Sequence, residues 1–408
     1  MTEPTETSEP ADRHASWLEL FFDLVVVVAV NQLAHLVHGS DDGTAHHGPD
    51  ALHITTFFAL YLAIWLVWTT FTLYSNVVAD RVRVRSMFLG MAGIATMAAT
   101  ISESMGDRAN LFAAAYLVTS GLGAASFSRS GQILLSWGAA TRNAGLVPWV
   151  VSFWVDHPWW KLSLWMLGLA MSLWFSVFAG RGDGEQLLAR LNEQLARRSR
   201  RERERRAPQG RPAPDRPTLV AARVDAAHLG ERLGLFVIIV LGEAMLQLVG
   251  AVSEIEDWAP GGGLGWLLVL AAASGFGLMI ALWSLNVRYG FAEETRLPPR
   301  LVLPAHFVAI AAITTVAAGL GSVAAAFDEH LPGTTVWLLC SGVSGYLLVI
   351  TLLTRSTRRW PVSAAAVVLP LVVAVLAGLL PAAVVAAALF VAAAGQVWNL
   401  RGALTSGA

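Results

Sequence analysis

The feature that most limits what this chain can fold into is an apolar run of about twenty residues that returns along almost its whole length. Such runs fall near residues 17–38, 52–77, 86–101, 110–127, 132–154 and 160–178. After a long polar stretch they resume near 231–249, 264–285, 302–325, 334–354, 361–378 and 382–400. A helix needs ~20 residues to cross the hydrocarbon core of a bilayer, whereas a barrel strand needs only ~10. The pattern therefore predicts an all-α, polytopic integral membrane protein with about twelve transmembrane helices. Composition excludes the alternatives. Of the 408 residues 55% are hydrophobic and 14% charged, against ~25% charged in ordinary soluble domains. Cys340 is the single cysteine, so no intrachain disulfide framework exists, and a net charge of −1 gives nucleic acid nothing to bind.

Basic residues supply an independent test of topology. With the N-terminus cytoplasmic, 24 of the 28 lysines and arginines fall in the N-terminal tail, the even-numbered loops and the C-terminal tail. The odd-numbered loops carry only Arg108 and Lys161, while Arg142 and Arg232 lie inside predicted spans. This obeys the positive-inside rule, and it predicts a multi-pass protein of the cytoplasmic (inner) membrane with both termini inside. Trp17, Trp154, Trp159, Trp160, Trp258, Trp360 and Trp398 mark span ends, where an aromatic belt belongs. The first twelve residues are acidic and rich in Pro and Thr, which does not match a signal peptide.

The organisation predicted is an acidic tail (1–16), a six-helix half (17–179), an Arg/Pro-rich cytoplasmic linker (180–230), a second six-helix half (231–400) and a short tail (401–408). The linker either adheres to anionic lipid headgroups, at ~1 kcal/mol per basic residue near the surface, or serves as a solvated tether. The halves resemble each other. A slide of 212 residues places Glu19 on Glu231, Asn31 on Glu243 and His35 on Gln247; a slide of 215 places Trp68 on Trp283, Tyr74 on Tyr289 and Arg85 on Arg300. With an even number of spans in each half, such repeats would be parallel, related by an axis along the membrane normal.

Ionisable and polar residues at hydrocarbon depth cost free energy and mark functional sites. The first span carries Glu19, Asp23, Asn31 and His35 at intervals of four or eight. The seventh begins with His228, Glu231 and Arg232, and Glu243 follows about 12 residues (~18 Å) deeper. Arg142 lies midway along the fifth predicted span and requires an acidic partner, with Glu243 first by depth and Glu103 second. His306, beside Pro304, is expected at the interface or hydrogen-bonded to a neighbour. The loop holding His38, Asp41, Asp42, His46, His47, Asp50 and His53 is read as solvated rather than metal-binding, since no fixed ligand spacing occurs. No phosphate loop, nucleophile elbow or paired-cysteine motif is present.

Two stretches resemble a known family. Trp17-Leu18-Glu19-Leu20-Phe21-Phe22-Asp23-Leu24-Val25 looks like the opening signature of the bacterial low temperature requirement protein A family (LtrA). Glu231-Arg232-Leu233-Gly234-Leu235-Phe236 with Leu241-Gly242-Glu243 resembles its second signature. The aromatic stretch from Trp68 to Asn76 is similar to the family's second span, but Ala79-Asp80-Arg81 departs from the acidic residues often found after it. The resemblance implies a multi-span membrane protein with Glu19, Asp23, Glu231, Arg232 and Glu243 as signature positions. It supplies no reaction.

These readings predict a secondary transporter or channel for a small solute or ion, using intramembrane carboxylates and an arginine. The alternative is a membrane stress-response or scaffold protein whose buried charges are structural. No enzyme activity and no cofactor is expected.

Overall fold

The computed structural model describes residues 14–37, 40–41, 46–79, 82–134, 143–178, 219–255, 263–291, 299–354 and 360–405, with isolated residues between 188 and 204. Each apolar run but one becomes a helix. In chain order these are α1 (Trp17–Leu36), α2 (Ala51–Val78), α3 (Val84–Ala99) and α4 (Ala109–Ser130), followed by the short α5 (Val147–Val151) and then α6 (Pro158–Phe178). The second set comprises α7 (Ala226–Ser253), α8 (Gly263–Tyr289), α9 (Pro299–Ala325), α10 (Gly333–Thr354), α11 (Trp360–Leu376) and α12 (Ala382–Thr405). Ten helices among the described residues are long and apolar enough to cross a membrane, and α3 is a shorter apolar helix.

Three helix starts follow from local side-chain chemistry. Ser16 caps α1 in a reciprocal box with Glu19, Asp50 caps α2, and Asp225 caps α7. Each satisfies a backbone N–H that has no partner within its own helix.

The fifth predicted span, 132–154, is corrected by the structure. Gln132–Leu134 forms a strand, β3, that pairs in parallel with β4 (Val220–Ala222) beyond the linker; two-residue strands β1 (Ser40–Asp41) and β2 (His46–His47) form the only other sheet described. After residues 135–142, which lie outside the description, come a 3-10 turn (Asn143–Leu146), α5 and a second 3-10 turn (Ser152–Trp154). Pro148 has no N–H and its ring would clash with the carbonyl four residues back, so an α-helix cannot run unperturbed through Gly145 to Pro148. The segment is instead pressed onto α6. A Cβ on Gly145 or on Gly168 would lie 2.5 Å from the other's carbonyl oxygen, and Trp149 stacks on Trp165 at 4.7 Å.

The helices of each set pack on one another. In the first, α1 packs on α3, α3 on α4, and α2 on α6; in the second, α7 packs on α9, α9 on α10, and α8 on α12. The sets meet where α1 touches α7 and α9, and where α2 touches α7 and α9. Because α1 and α2 reach α7 there, polar residues of the N-terminal helices lie opposite the signature residues of α7.

Candidate functional site

At the end of the bundle where α1 and α7 begin, an ion pair is sealed from its surroundings. Asp23 and Arg232 are both 0% exposed, and Arg232 Nη2 donates to Asp23 Oδ1 at 2.6 Å. Trp68 Nε1 on α2 donates to the same oxygen at 2.7 Å, and Arg232 Nη1 donates to Ser75 Oγ at 2.9 Å. Glu19, one helical turn before Asp23, lies 3.6 Å from Arg232 Nη1 and 3.4 Å from His228 Nε2. Its carboxylate also accepts from Ser16 N and Ser16 Oγ, both at 2.9 Å. Three helices thus contribute: α1 the acids, α7 the base, α2 the neutral donors and acceptors. Trp68, Thr72 and Ser75 fall on one face of α2 because steps of three and four return to the same side of a helix.

Two buried histidines border the ion pair. Asn76 accepts Asp225 N–H through Oδ1 at 2.9 Å and donates to Asp225 O through Nδ2 at 3.0 Å, which settles the orientation of its amide. The same Nδ2 lies 3.1 Å from His228 Nδ1. An amide nitrogen only donates, so that ring nitrogen is placed to accept, and His228 Nε2 is turned toward Glu19. His306, 0% exposed, accepts from Trp65 Nε1 at Nδ1 (3.3 Å) and presents Nε2 to Leu233 O (3.2 Å). Its ring stacks on Trp68 at 5.3 Å. The hydrogen bonds expected of His306 are present, but it lies in the interior rather than at an interface.

A second polar contact lies deeper. Asn31 Nδ2 donates to Glu243 Oε1 at 2.7 Å, and Gln247 Nε2, one turn along α7, donates to that oxygen at the same distance. Glu243 is 4% exposed. The register of these contacts, with residues 19 to 31 of α1 meeting residues 228 to 243 of α7 in the same order, shows that the two helices run parallel.

The residues singled out in the sequence therefore divide. Glu19, Asp23 and Arg232 come together, as do Asn31 and Glu243. Glu231 turns the other way, receiving Ala15 N–H at 3.2 Å with His14 Nδ1 3.4 Å distant. His35 lies on an exposed face of α1. Glu103 lies in the turn after α3 and pairs with Arg108 at 3.1 Å, half exposed. Arg142 lies outside the described residues, as do Asp80, Arg81 and most of the linker. Among the described residues, the buried guanidinium that meets an intramembrane acid is that of Arg232. Trp68 and Ser75, which complete its shell, were visible in the sequence only as part of the aromatic stretch.

A third cluster had no signal in the sequence reading. Gln396 Nε2 donates to Thr351 Oγ1 and Ser363 Oγ, both at 3.2 Å, and Asn399 Nδ2 donates to Ser363 Oγ at 3.0 Å. It ties α10, α11 and α12 together without a charged group.

No curated protein and no solved structure matches the chain. The model of the bacterial low temperature requirement A protein (LtrA) family matches residues 14–398, a range that contains all of the contacts just described except that of Asn399. Nearly the whole length is covered, with Glu19, Asp23, Arg232 and Glu243 inside it, and the chain is an integral membrane protein belonging to the LtrA family.

Proposed function

We propose that this LtrA-family protein is a secondary transporter or channel for a small solute or ion. Its two related six-helix halves have both termini on the cytoplasmic side. The observation that carries the reading is the hydrogen bond from Asn31 to Glu243. At ~1.5 Å per residue Asn31 lies ~21 Å along α1, within the hydrocarbon thickness. There the carboxylate is held by two neutral amides and by no basic side chain among the described residues. A carboxyl at that depth that is not neutralised by a fixed cation is suited to gain and lose a mobile one. Asn31 and Glu243 are also the residues that the 212-residue slide superposes. Two related halves touch through equivalent positions only close to the axis relating them, which is where parallel-repeat transporters place their path. Asp23 is the second protonatable acid of this reading, with Arg232 as its counter-charge.

One observation favours the scaffold alternative: the Asp23–Arg232 pair is sealed and joins helices of both halves, as a static tie would. Proteoliposomes loaded with a pH-sensitive dye separate the readings. Under an imposed pH gradient, with sodium or potassium present, the wild-type chain should dissipate the gradient and Glu243→Gln should not, while melting at the same temperature in detergent. Undiminished flux in that variant removes Glu243 from the mechanism, and no flux in either leaves the scaffold reading standing.

A further inference from the structure

On the side of α7 away from Asn31, a groove runs between α7 and α8. Glu243 and Gln247 turn one face of α7 to α1. Residues two positions further on point ~200° away around a helix. There Met245, Val249 and Val252 line the groove, facing Ala272 and Phe276 of α8. Its floor is Leu248, 4% exposed, which fills the space left by Gly275. A Cβ on that glycine would lie 3.2 Å from Leu248 Cδ2 and 3.3 Å from Leu320 Cδ2 of α9. Because α7 packs more extensively on α9 than on α8, a wedge stays open between the two sequence neighbours. It encloses about 430 Å3.

The depth of the groove follows from helix geometry. Met245 lies ~12 Å along the axis from Ser253, the last residue of α7. Counted from Gly263, the first residue of α8, Ala272 lies ~14 Å in and Phe276 ~20 Å in. Both helices are long and apolar enough to cross a membrane, so the groove covers about one leaflet of a hydrocarbon core ~30 Å thick. Ser253 is the polar member of the lining, at the end nearest the membrane surface, and its hydroxyl already donates to Gly250 O at 2.7 Å. Trp266, 71% exposed near the start of α8, stands at the same end, where interfacial tryptophans meet the headgroups. Deeper in, every lining side chain is apolar.

Water does not fill such a groove, because a buried water needs two or more polar partners. Left empty, the walls would forfeit their dispersion contacts. A helix of a second copy is too wide: it is ~10 Å across, and 12 Å of it would occupy ~900 Å3, about twice the space. A single hydrocarbon chain fits, narrow and apolar along its length, with its polar end at the level of Ser253 and Trp266. We propose that one acyl chain of a membrane phospholipid lodges between α7 and α8, its headgroup at the end of the bundle where these two helices are joined. The lipid is the packing partner that α8 does not give α7 there, and it backs α7 while the opposite face meets Asn31. The site is separate from Glu243 and does not depend on transport.

Phosphatidylcholine with a diazirine at the end of one acyl chain, mixed into vesicles holding the full-length chain, tests this. After illumination, peptide mass spectrometry should find the label at Met245, Val252 and Phe276 severalfold above Val368, Val372 and Val375, exposed apolar residues of α11. Val249→Trp, at a position 55% exposed, should cut the labelling of the groove severalfold and leave that of α11 unchanged. Ala272→Phe should do the same from the other wall. Groove labelling no higher than that of α11, or equal to wild type in both variants, overturns the proposal. Labelling by a free diazirine fatty acid but not by the phospholipid would overturn it as well, giving the groove to a free apolar ligand. An unlabelled groove in a chain that elutes as a dimer would give it to a second copy instead.

Discussion

Replacing Arg232 by Gln should destabilise the protein far more than replacing Asp23 by Asn, although each removes one member of the same ion pair. Arg232→Gln takes the guanidinium away from both Asp23 and Glu19 at a site where Asp23 and Arg232 are fully buried. It also removes the donors to Asp23 Oδ1 and Ser75 Oγ. Stripping one partner from a buried pair costs about 3–5 kcal/mol. Asp23→Asn is milder. The amide oxygen still accepts from Trp68 and Arg232, the geometry is nearly isosteric, and Arg232 keeps Glu19 at 3.6 Å. What is lost is the charge assistance of one hydrogen bond, about 1–2 kcal/mol. The double variant should then cost less than the sum of the two, because residues in contact couple by about 0.5–3 kcal/mol. Thermal unfolding in detergent, followed by tryptophan fluorescence and checked by size exclusion, measures all three. Equal losses from the two single variants, or an Arg232→Gln protein within about 1 kcal/mol of wild type, would show that the guanidinium is not shared between two acids.

Two further tests concern the scaffold of the site. Gly168→Ala would place a Cβ 2.5 Å from Gly145 O and 2.7 Å from the Trp149 ring, and should lower stability by about 1–3 kcal/mol in the same assay; Gly121→Ala, with nothing within 4 Å, should instead gain about 0.5–1 kcal/mol. Asp50, outside the membrane-spanning part of α2, is held below the usual carboxylate range by hydrogen bonds from His53 N and from the His53 ring, both at 2.8 Å. A depressed folded-state value means that its contribution is complete above the unfolded value near 4 and fades as pH falls through and below it. Asp50→Ala removes the cap of α2 and should cost at most ~1 kcal/mol at neutral pH, since Asp50 is exposed and its charge is screened by solvent, and the gap from wild type should narrow in acid.

Legibility in the sequence differed between residues for physical reasons. Glu19, Asp23, Arg232 and Glu243 stood out because a polar group in an apolar run has a cost that composition alone reveals. Their partners did not. Trp68 and Ser75 are unremarkable in a membrane helix, and they acquire a role only because α2 turns that face to the ion pair. Periodicity reports which residues share a face, not which helix lies opposite. The fifth run was misjudged because counting apolar residues is blind to backbone geometry, although Pro148 was there to be read as a break. The internal resemblance shows both limits. It superposes Asn31 on Glu243, and those residues do touch; it superposes Asp23 on Leu235, yet Asp23 pairs with Arg232. If the two helix sets are related as proposed, equivalent positions meet near the axis between them and non-equivalent ones away from it. The deep contact and the sealed ion pair differ in kind. At the first, a neutral amide of α1 meets a carboxylate of α7. At the second, two acids of α1 face a base of α7. Under the proposed transport reading, a mechanism that alternates between two arrangements of the helix sets would use both: a shared point about which they move, and a charge contact that one arrangement makes and the other breaks.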